Sequence, residues 1–150
     1  IEVGEILPCG NDSFDTVISL NTLEHIYDAI AVLKELHRVL RPNGELAIMT
    51  PFLFPVHGHP NDFFRPTSSW YFHSLEKLGF SSIEVTPLSW GPYSTAATCK
   101  ELPWPAKKLR NRFALFLDLL YSIYSSQQLK DVDERYISKF PLAFFVKAHK

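Results

Sequence analysis

The sequence has few glycines, two cysteines and almost no net charge. None of its six glycines forms a Gly-x-Gly-x-x-Gly or related cluster, so these 150 residues contain no glycine-rich nucleotide-binding turn. The net charge of −1 at pH 7 gives no basis for general binding to nucleic acid. Cys9 and Cys99 are far apart in the chain and form no metal-type pair, so we expect reduced thiols in a cytoplasmic protein.

The pattern of apolar residues predicts an α/β layered sheet. Residues 14–20 are apolar on both faces and include β-branched residues, which is typical of a buried parallel strand. Apolar spacings of three and four residues predict the helices, with Asp28 and Thr67 as N-caps of the first two. The further strands are predicted at 45–50, 83–86 and 141–148, the helices at 28–40, 67–78 and 106–126, and a proline-rich irregular connection at 87–105.

Two segments carry a motif. The first is Leu7-Pro8-Cys9-Gly10-Asn11-Asp12-Ser13-Phe14-Asp15, followed by the pair Glu24-His25. The second is Glu35-Leu36-His37-Arg38-Val39-Leu40-Arg41-Pro42-Asn43-Gly44. Together they resemble the middle of class I S-adenosylmethionine-dependent methyltransferases of the small-molecule "type 11" group. That resemblance covers residues 1–90 well and 91–150 only loosely.

The resemblance implies a fold, an activity and a cofactor. The expected fold is the carboxyl-terminal part of a Rossmann-like sheet, mostly parallel with an antiparallel last strand. Residues 1–150 would then be a single partial domain that lacks the amino-terminal strands of the family. The expected activity is methyl transfer from S-adenosylmethionine to a small-molecule acceptor, with no nucleic-acid partner. The alternative is a non-catalytic fragment or pseudoenzyme that acts through protein contacts.

The resemblance also implies which residues contact the cofactor. Backbone around Leu20 and Asn21 would lie along its methionine and sulfonium groups, and the segment at Leu7 would lie against the adenine ring. The implied cofactor-contacting residues are Leu7, Pro8, Cys9, Leu20, Asn21, Thr22 and His25. Glu2 and Glu5 are candidates for accepting a hydrogen bond from the adenine amino group. An alternative interpretation is that Glu24 and His25 only cap and tether the helix that follows.

A loop over residues 51–67 combines histidines, an acid and an arginine with aromatic side chains. It resembles a loop that faces the acceptor in some small-molecule methyltransferases. His57 or His59 would act as general base toward an acceptor hydroxyl, and Arg65 with Asp62 would bind the acceptor, Arg65 by gripping a carboxylate or phosphate. Alternatively, Asp62 and Arg65 pair with each other to hold the loop. His57-x-His59-x-x-Asp62 is also a weak candidate for a Zn²⁺ or Fe(II) site in a metal-dependent hydrolase, although its spacing fits no strong motif.

Residues 107–124 begin with basic side chains and continue as a twelve-residue apolar run over 113–124. The run is too short to span a bilayer. Because it is apolar almost all round, we expect a core or lid helix that is buried on more than one side. The alternatives are a dimer interface or a helix lying on an anionic membrane surface. We also expect a homo-oligomer, formed through residues 14–20 or through this helix.

Overall fold

A computed structural model of the chain describes residues 6–58, 61–89, 91–99, 106–128 and 140–150, without the side chains of 106 and 125–128. In chain order the elements are β1 (Phe14–Leu20), a 3₁₀ turn (Leu23–His25), α1 (Ala29–Val39), β2 (Leu40–Pro51), α2 (Ser68–Lys77), β3 (Ser81–Leu88), α3 (Pro92–Cys99), α4 (Ala106–Gln128) and β4 (Ala143–His149). The chain divides into two compact units. The first contains Ile1–Phe52, Val56–Thr86 and Phe144–Lys150, and the second contains Leu53–Pro55 and Pro87–Ala143.

The four strands form one sheet in the order β1-β2-β4-β3. β1 and β2 are parallel, with Leu20 opposite Met49. At the other end of β2, Asn43 donates its N–H to the Lys150 carbonyl and Lys150 donates to the Gly44 carbonyl, both over 3.0 Å, which is an antiparallel exchange. β4 also pairs with β3, starting from the 2.8 Å bond between the Leu142 N–H and the Leu88 carbonyl.

Three of the four strands therefore run in the same direction and the last runs against them, although two of the three neighbouring pairs are antiparallel. This confirms the predicted α/β, Rossmann-like sheet. The arrangement places the carboxyl ends of β1 and β2 side by side, where ligands bind in open α/β sheets.

The core of the first unit forms where α1 and α2 cover the sheet. Leu33 and Leu36 of α1 and Tyr71 and Leu75 of α2 are buried in one cluster with Ile48 of β2. Both predicted N-caps are confirmed. The Asp28 carboxylate accepts from the Ala31 N–H at 3.0 Å, and the Thr67 hydroxyl accepts from the Trp70 N–H at 3.2 Å.

The prediction that β1 is buried on both faces is wrong. Ile18 is 65% exposed, and Phe14 and Leu20 on the same face are also exposed. Alternate residues Val17 and Ser19 are half-buried, so only one face of β1 packs against the rest of the described structure. An apolar pattern indicates that a strand face can be buried. The face is buried only where another part of the structure packs on it.

The irregular connection predicted over 87–105 instead contains helix α3. Proline is tolerated at the first position of a helix, where Pro92 stands. Its N-cap is supplied by another element, because the Asp118 carboxylate in α4 accepts from the N–H groups of Tyr93 and Ser94, each at 2.8 Å. Gly91 precedes the helix with φ +149°, and a Cβ there would lie 2.4 Å from Asp118 Oδ1, so the site requires glycine.

The predicted helix over 106–126 is present as α4, but its predicted burial is wrong. Among the described side chains of 107–124, only Ala114 and Asp118 are buried. Several large apolar side chains are exposed: Leu109, Phe113, Leu115, Phe116, Leu119, Leu120, Ile123 and Tyr124. None of the described helices combines the length and apolar character that a bilayer crossing needs.

Candidate functional site at the carboxyl ends of β1 and β2

The chain turns sharply as it leaves β1. Asn21 has a positive φ of 49°, a conformation that Asn tolerates better than most residues. Its N–H donates to the Met49 carbonyl of β2 at 2.9 Å, and the Thr22 hydroxyl donates to the Leu20 carbonyl at 3.0 Å. These bonds direct the following 3₁₀ turn, Leu23–His25, across the end of the parallel pair.

The loop after β2 folds back onto this turn. The Phe63 N–H donates to the Glu24 carbonyl at 2.8 Å, and His25 Nδ1 lies 2.6 Å from the Asn61 carbonyl oxygen. The imidazole rings of His25 and His57 then meet edge to face, with centroids 5.2 Å apart. Two residues 32 positions apart in sequence are thereby brought into one site.

Asp62 and Arg65 form a bidentate ion pair with each other. This is the arrangement that the alternative interpretation of these residues expected. The same carboxylate accepts from the His57 N–H at 3.0 Å, and its Oδ2 lies 3.4 Å from His57 Nδ1. The hydrogen bonds from the Arg65 guanidinium lower the pKa of Asp62 to about 2, so Asp62 is a permanent anion that orients the His57 segment.

Glu24 is fully buried beside these groups. No donor among the described residues lies within hydrogen-bond distance of either of its carboxylate oxygens. Glu24 Oε1 lies 3.7 Å from His25 Nε2. Its backbone carbonyl tethers the loop through the Phe63 N–H. Its carboxylate makes no capping hydrogen bond among the described residues, so a tethering role does not account for the buried side chain.

The sequence motif gave Glu24 as part of a pair, yet Glu24 was not among the predicted site residues. The sequence does contain a signal for Glu24: an ionisable residue lies between the apolar residues Leu23 and Ile26, shortly after a strand. Such a residue is buried only if something compensates its charge.

Sequence reasoning also missed a buried hydroxyl pair behind the site. Thr50, near the end of β2, and Tyr71 of α2 are both buried, and their hydroxyl oxygens are 2.7 Å apart. Burial raises the pKa of Tyr71, so its hydroxyl keeps its proton. The sequence offered no signal for this pair, because a tyrosine on the apolar face of a helix usually indicates only packing.

The predicted adenine-side segment is fastened to α1 by the second motif. The Leu7 N–H donates to Glu35 Oε1 at 2.8 Å, and Arg38 Nη2 donates to the Cys9 carbonyl at 2.9 Å. Arg38 also bonds Glu35 itself, and this bond raises the pKa of Arg38. The acid and arginine of the motif therefore position residues 7–9, with Leu7 and Cys9 half-buried and Pro8 exposed.

The structure thus brings His25, His57, Asp62 and Arg65 together, next to the turn that carries Asn21 and Thr22. The carboxylate of the metal candidate His57-x-His59-x-x-Asp62 is engaged by Arg65. His59, Glu2 and Glu5 lie outside the described residues.

Comparison with known proteins identifies the motif-bearing part of the chain. Residues 2–48 match the model of the family described as "Methyltransferase domain". This segment is therefore similar to that family. The resemblance to class I methyltransferases predicted from the motifs is therefore confirmed. The match covers residues 7–9, β1, the 3₁₀ turn, α1 and most of β2.

Relatives and solved structures agree with this family. A tRNA U34 carboxymethyltransferase of Chromohalobacter salexigens is 32% identical over 92 residues, which are 54% of this chain and 28% of the relative. A SAM-dependent methyltransferase from Archaeoglobus fulgidus has the same fold, with a TM-score of 0.55 at 13% identity, over 95% of this chain and 62% of that one. Phosphoethanolamine N-methyltransferase 2 of Haemonchus contortus in complex with S-adenosyl-L-methionine gives 0.55 at 16% identity, over 95% and 34%.

The chain spans little more than a quarter of the length of the curated relative. What the chain shares with these solved structures is the fold.

Proposed function

We propose that this chain forms part of a class I methyltransferase that moves a methyl group from S-adenosylmethionine to a small-molecule acceptor. The observation that carries this proposal is the family match over residues 2–48, and it is supported by the contacts between the loops after β1 and β2. The activity fits a site of this kind because the sulfonium is already reactive. The protein has mainly to position the two partners in line and to remove a proton.

On the cofactor side, Leu7, Pro8 and Cys9 would contact the adenine ring. Glu35 and Arg38 hold this segment by its backbone groups, which leaves its apolar side chains available to a flat ring. By the same resemblance, Leu20 at the end of β1 and Asn21, Thr22 and His25 after it would line the methionine and sulfonium end. The hydrogen bond from the Asn21 N–H to the Met49 carbonyl holds the backbone of this stretch against the end of β2.

On the acceptor side, the loop after β2 would supply the base. In the proposed step, an acceptor oxygen attacks the methyl carbon and the bond from that carbon to sulfur breaks. S-adenosylhomocysteine leaves, and the hydroxyl proton passes to the imidazole of His57, with His59 as the second candidate base. Asp62 and Arg65 would face the acceptor as a pair, with Asp62 holding the His57 segment in place.

The test uses the intact protein that contains this chain, with labelled S-adenosylmethionine. We expect His57→Ala, His59→Ala and Arg65→Ala to lower turnover while the affinity for the cofactor changes little. His73→Ala is the matched control, because His73 is 79% exposed on α2 beside Glu76. A large loss of cofactor binding in the loop variants would show that the loop serves the cofactor instead of the acceptor.

Because one relative is a tRNA U34 carboxymethyltransferase, the same assay should also test RNA as an acceptor. The net charge of −1 favours a small molecule, because RNA binding draws mainly on basic surface. Labelled methyl groups should appear in a low-mass product, and label in an RNA fraction would overturn this choice. We also place the protein in the cytoplasm, in line with its two free cysteines.

A further inference from the structure

The buried carboxylate of Glu24 has no hydrogen-bond partner in the described structure, and two imidazole rings lie near it. One ligand-type atom from each of Glu24, His25 and His57 lies within 4.8 Å of the other two. Glu24 is 0% exposed, and neither of its oxygens has a hydrogen-bond donor among the described residues. Burying a carboxylate is unfavourable unless a cation or hydrogen-bond donors compensate its charge. The geometry therefore calls for a positive charge at this point.

The side chains of Arg65 and His25 lie near Glu24, but neither forms a hydrogen bond with its carboxylate. The pKa of the Arg65 guanidinium is raised mainly by its hydrogen bonds to Asp62, and the charge of Glu24 adds only a smaller contribution. His25 Nε2 is 3.7 Å away, beyond a hydrogen bond. Neither of these groups supplies the missing contact.

The hydrogen bond of His25 sets its ring in the form that binds metal. Its Nδ1 lies 2.6 Å from the Asn61 carbonyl oxygen, which can only accept, so Nδ1 carries the proton. In the neutral ring the lone pair is then on Nε2, which is the atom that faces Glu24. A backbone carbonyl on one ring nitrogen and a metal on the other is the usual arrangement for a ligating histidine.

His57 has a comparable setting. Its Nδ1 lies 3.4 Å from Asp62 Oδ2, and its backbone N–H is bonded to the same carboxylate. A carboxylate behind a histidine orients the ring and raises its basicity toward a metal. Two imidazoles and one carboxylate, with further positions left open, form the donor set of many catalytic Zn²⁺ sites.

We propose that Glu24, His25 and His57 form a binding site for a divalent transition-metal ion, with Zn²⁺ as the ion that the donors suit best. Bonds of about 2.0–2.2 Å from zinc place neighbouring ligand atoms of a tetrahedron about 3.3–3.6 Å apart. The 3.7 Å between Glu24 Oε1 and His25 Nε2 is already close to that separation. One ligand-type atom of His57 already lies within 4.8 Å of those of the other two residues.

The metal site does not depend on the proposed function, but with zinc bound it replaces the general-base role of His57. With zinc bound, the coordinated lone pair of His57 is no longer available to take a proton. The ion would then acidify a coordinated acceptor hydroxyl in its place. Metal binding is measurable without cofactor, acceptor or turnover, so failure of one proposal is distinguishable from failure of the other.

The test is titration of the chelator-treated chain with ZnCl₂ by calorimetry. We expect one ion per chain, and we expect Glu24→Gln, His25→Ala and His57→Ala each to weaken binding by more than the roughly 10- to 100-fold typical of outer-shell changes. His73→Ala is the control, because it removes an exposed imidazole that also has a glutamate nearby, Glu76 at 4.0 Å. Its zinc affinity should equal that of the unchanged chain.

Thermal unfolding keeps the test decisive if a histidine variant folds poorly. Zinc should raise the melting temperature of the unchanged chain and of His73→Ala, but not that of Glu24→Gln. Without metal, Glu24→Gln should unfold at no lower a temperature than the unchanged chain, because it removes a buried unpartnered charge. The proposal is overturned if the unchanged chain does not bind zinc, if Glu24→Gln binds it equally well, or if His73→Ala loses it.

Discussion

Removing either hydroxyl of the buried Thr50–Tyr71 pair should destabilise the fold behind the site. The two oxygens are 2.7 Å apart, and both residues are fully buried. Tyr71→Phe therefore leaves the Thr50 hydroxyl buried without its partner, which costs about 1–3 kcal/mol. Thr50→Val keeps the shape of the side chain and leaves the tyrosine hydroxyl unpaired, with a cost of similar size.

The double variant is the informative one. When both partners of a buried hydrogen bond are replaced by apolar groups of the same shape, the change can be nearly neutral. Thr50→Val with Tyr71→Phe should thus lose less than the sum of the two single losses, and the coupling should lie at about 2–3 kcal/mol, the upper part of the range for residues in contact. Urea unfolding followed by circular dichroism measures these free energies.

A control separates the pair from tyrosine hydroxyls in general. Tyr27 is 75% exposed, so Tyr27→Phe should change the free energy of unfolding by less than about 0.5 kcal/mol. Two results would show that the hydroxyls do not depend on each other. The losses in free energy of unfolding from Thr50→Val and Tyr71→Phe could be strictly additive, or each single loss could be no larger than that of Tyr27→Phe.

Three further predictions concern the cofactor, helix α3 and assembly. The 150-residue chain by itself should bind S-adenosylmethionine weakly because it contains no glycine-rich turn, and micromolar affinity in calorimetry would refute this. Asp118→Ala should destabilise α3 by about 1–2 kcal/mol, since it removes the acceptor of two helix N–H groups, and unchanged amide exchange at 93–99 would contradict it. The chain should self-associate through β1 or α4, whose apolar faces are exposed, and a monomer at high concentration in sedimentation would exclude this.

The sequence predicted well what depends on local chemistry. The bounds of β1 were correct because an apolar β-branched run ends at a turn containing Asn21. The N-caps at Asp28 and Thr67 were correct because each bonds an N–H three residues away. Such contacts are encoded within a few residues, so they can be predicted without knowledge of the rest of the fold.

Failures occurred where a distant residue decided the structure. Helix α3 was missed because its cap, Asp118, lies about 25 residues further along the chain. The exposed face of β1 depends on what covers the sheet and not on the strand itself.

At the site, the sequence picked out His25, His57, Asp62 and Arg65 individually. It did not reveal that His25 and His57 share a carboxylate neighbour, Glu24, because that contact arises only when the loop after β2 folds back.

The central claim is that the cofactor lies along residues 7–9 and 20–22, with the acceptor loop beside it. Titration of the isotope-labelled chain with millimolar S-adenosylhomocysteine, followed by amide chemical shifts, tests this directly even if binding is weak. We predict that the largest shifts occur at Leu7, Cys9, Asn21 and Thr22, with smaller changes at His57. Shifts confined to α3 and α4, or no saturable shifts at all, would contradict the account.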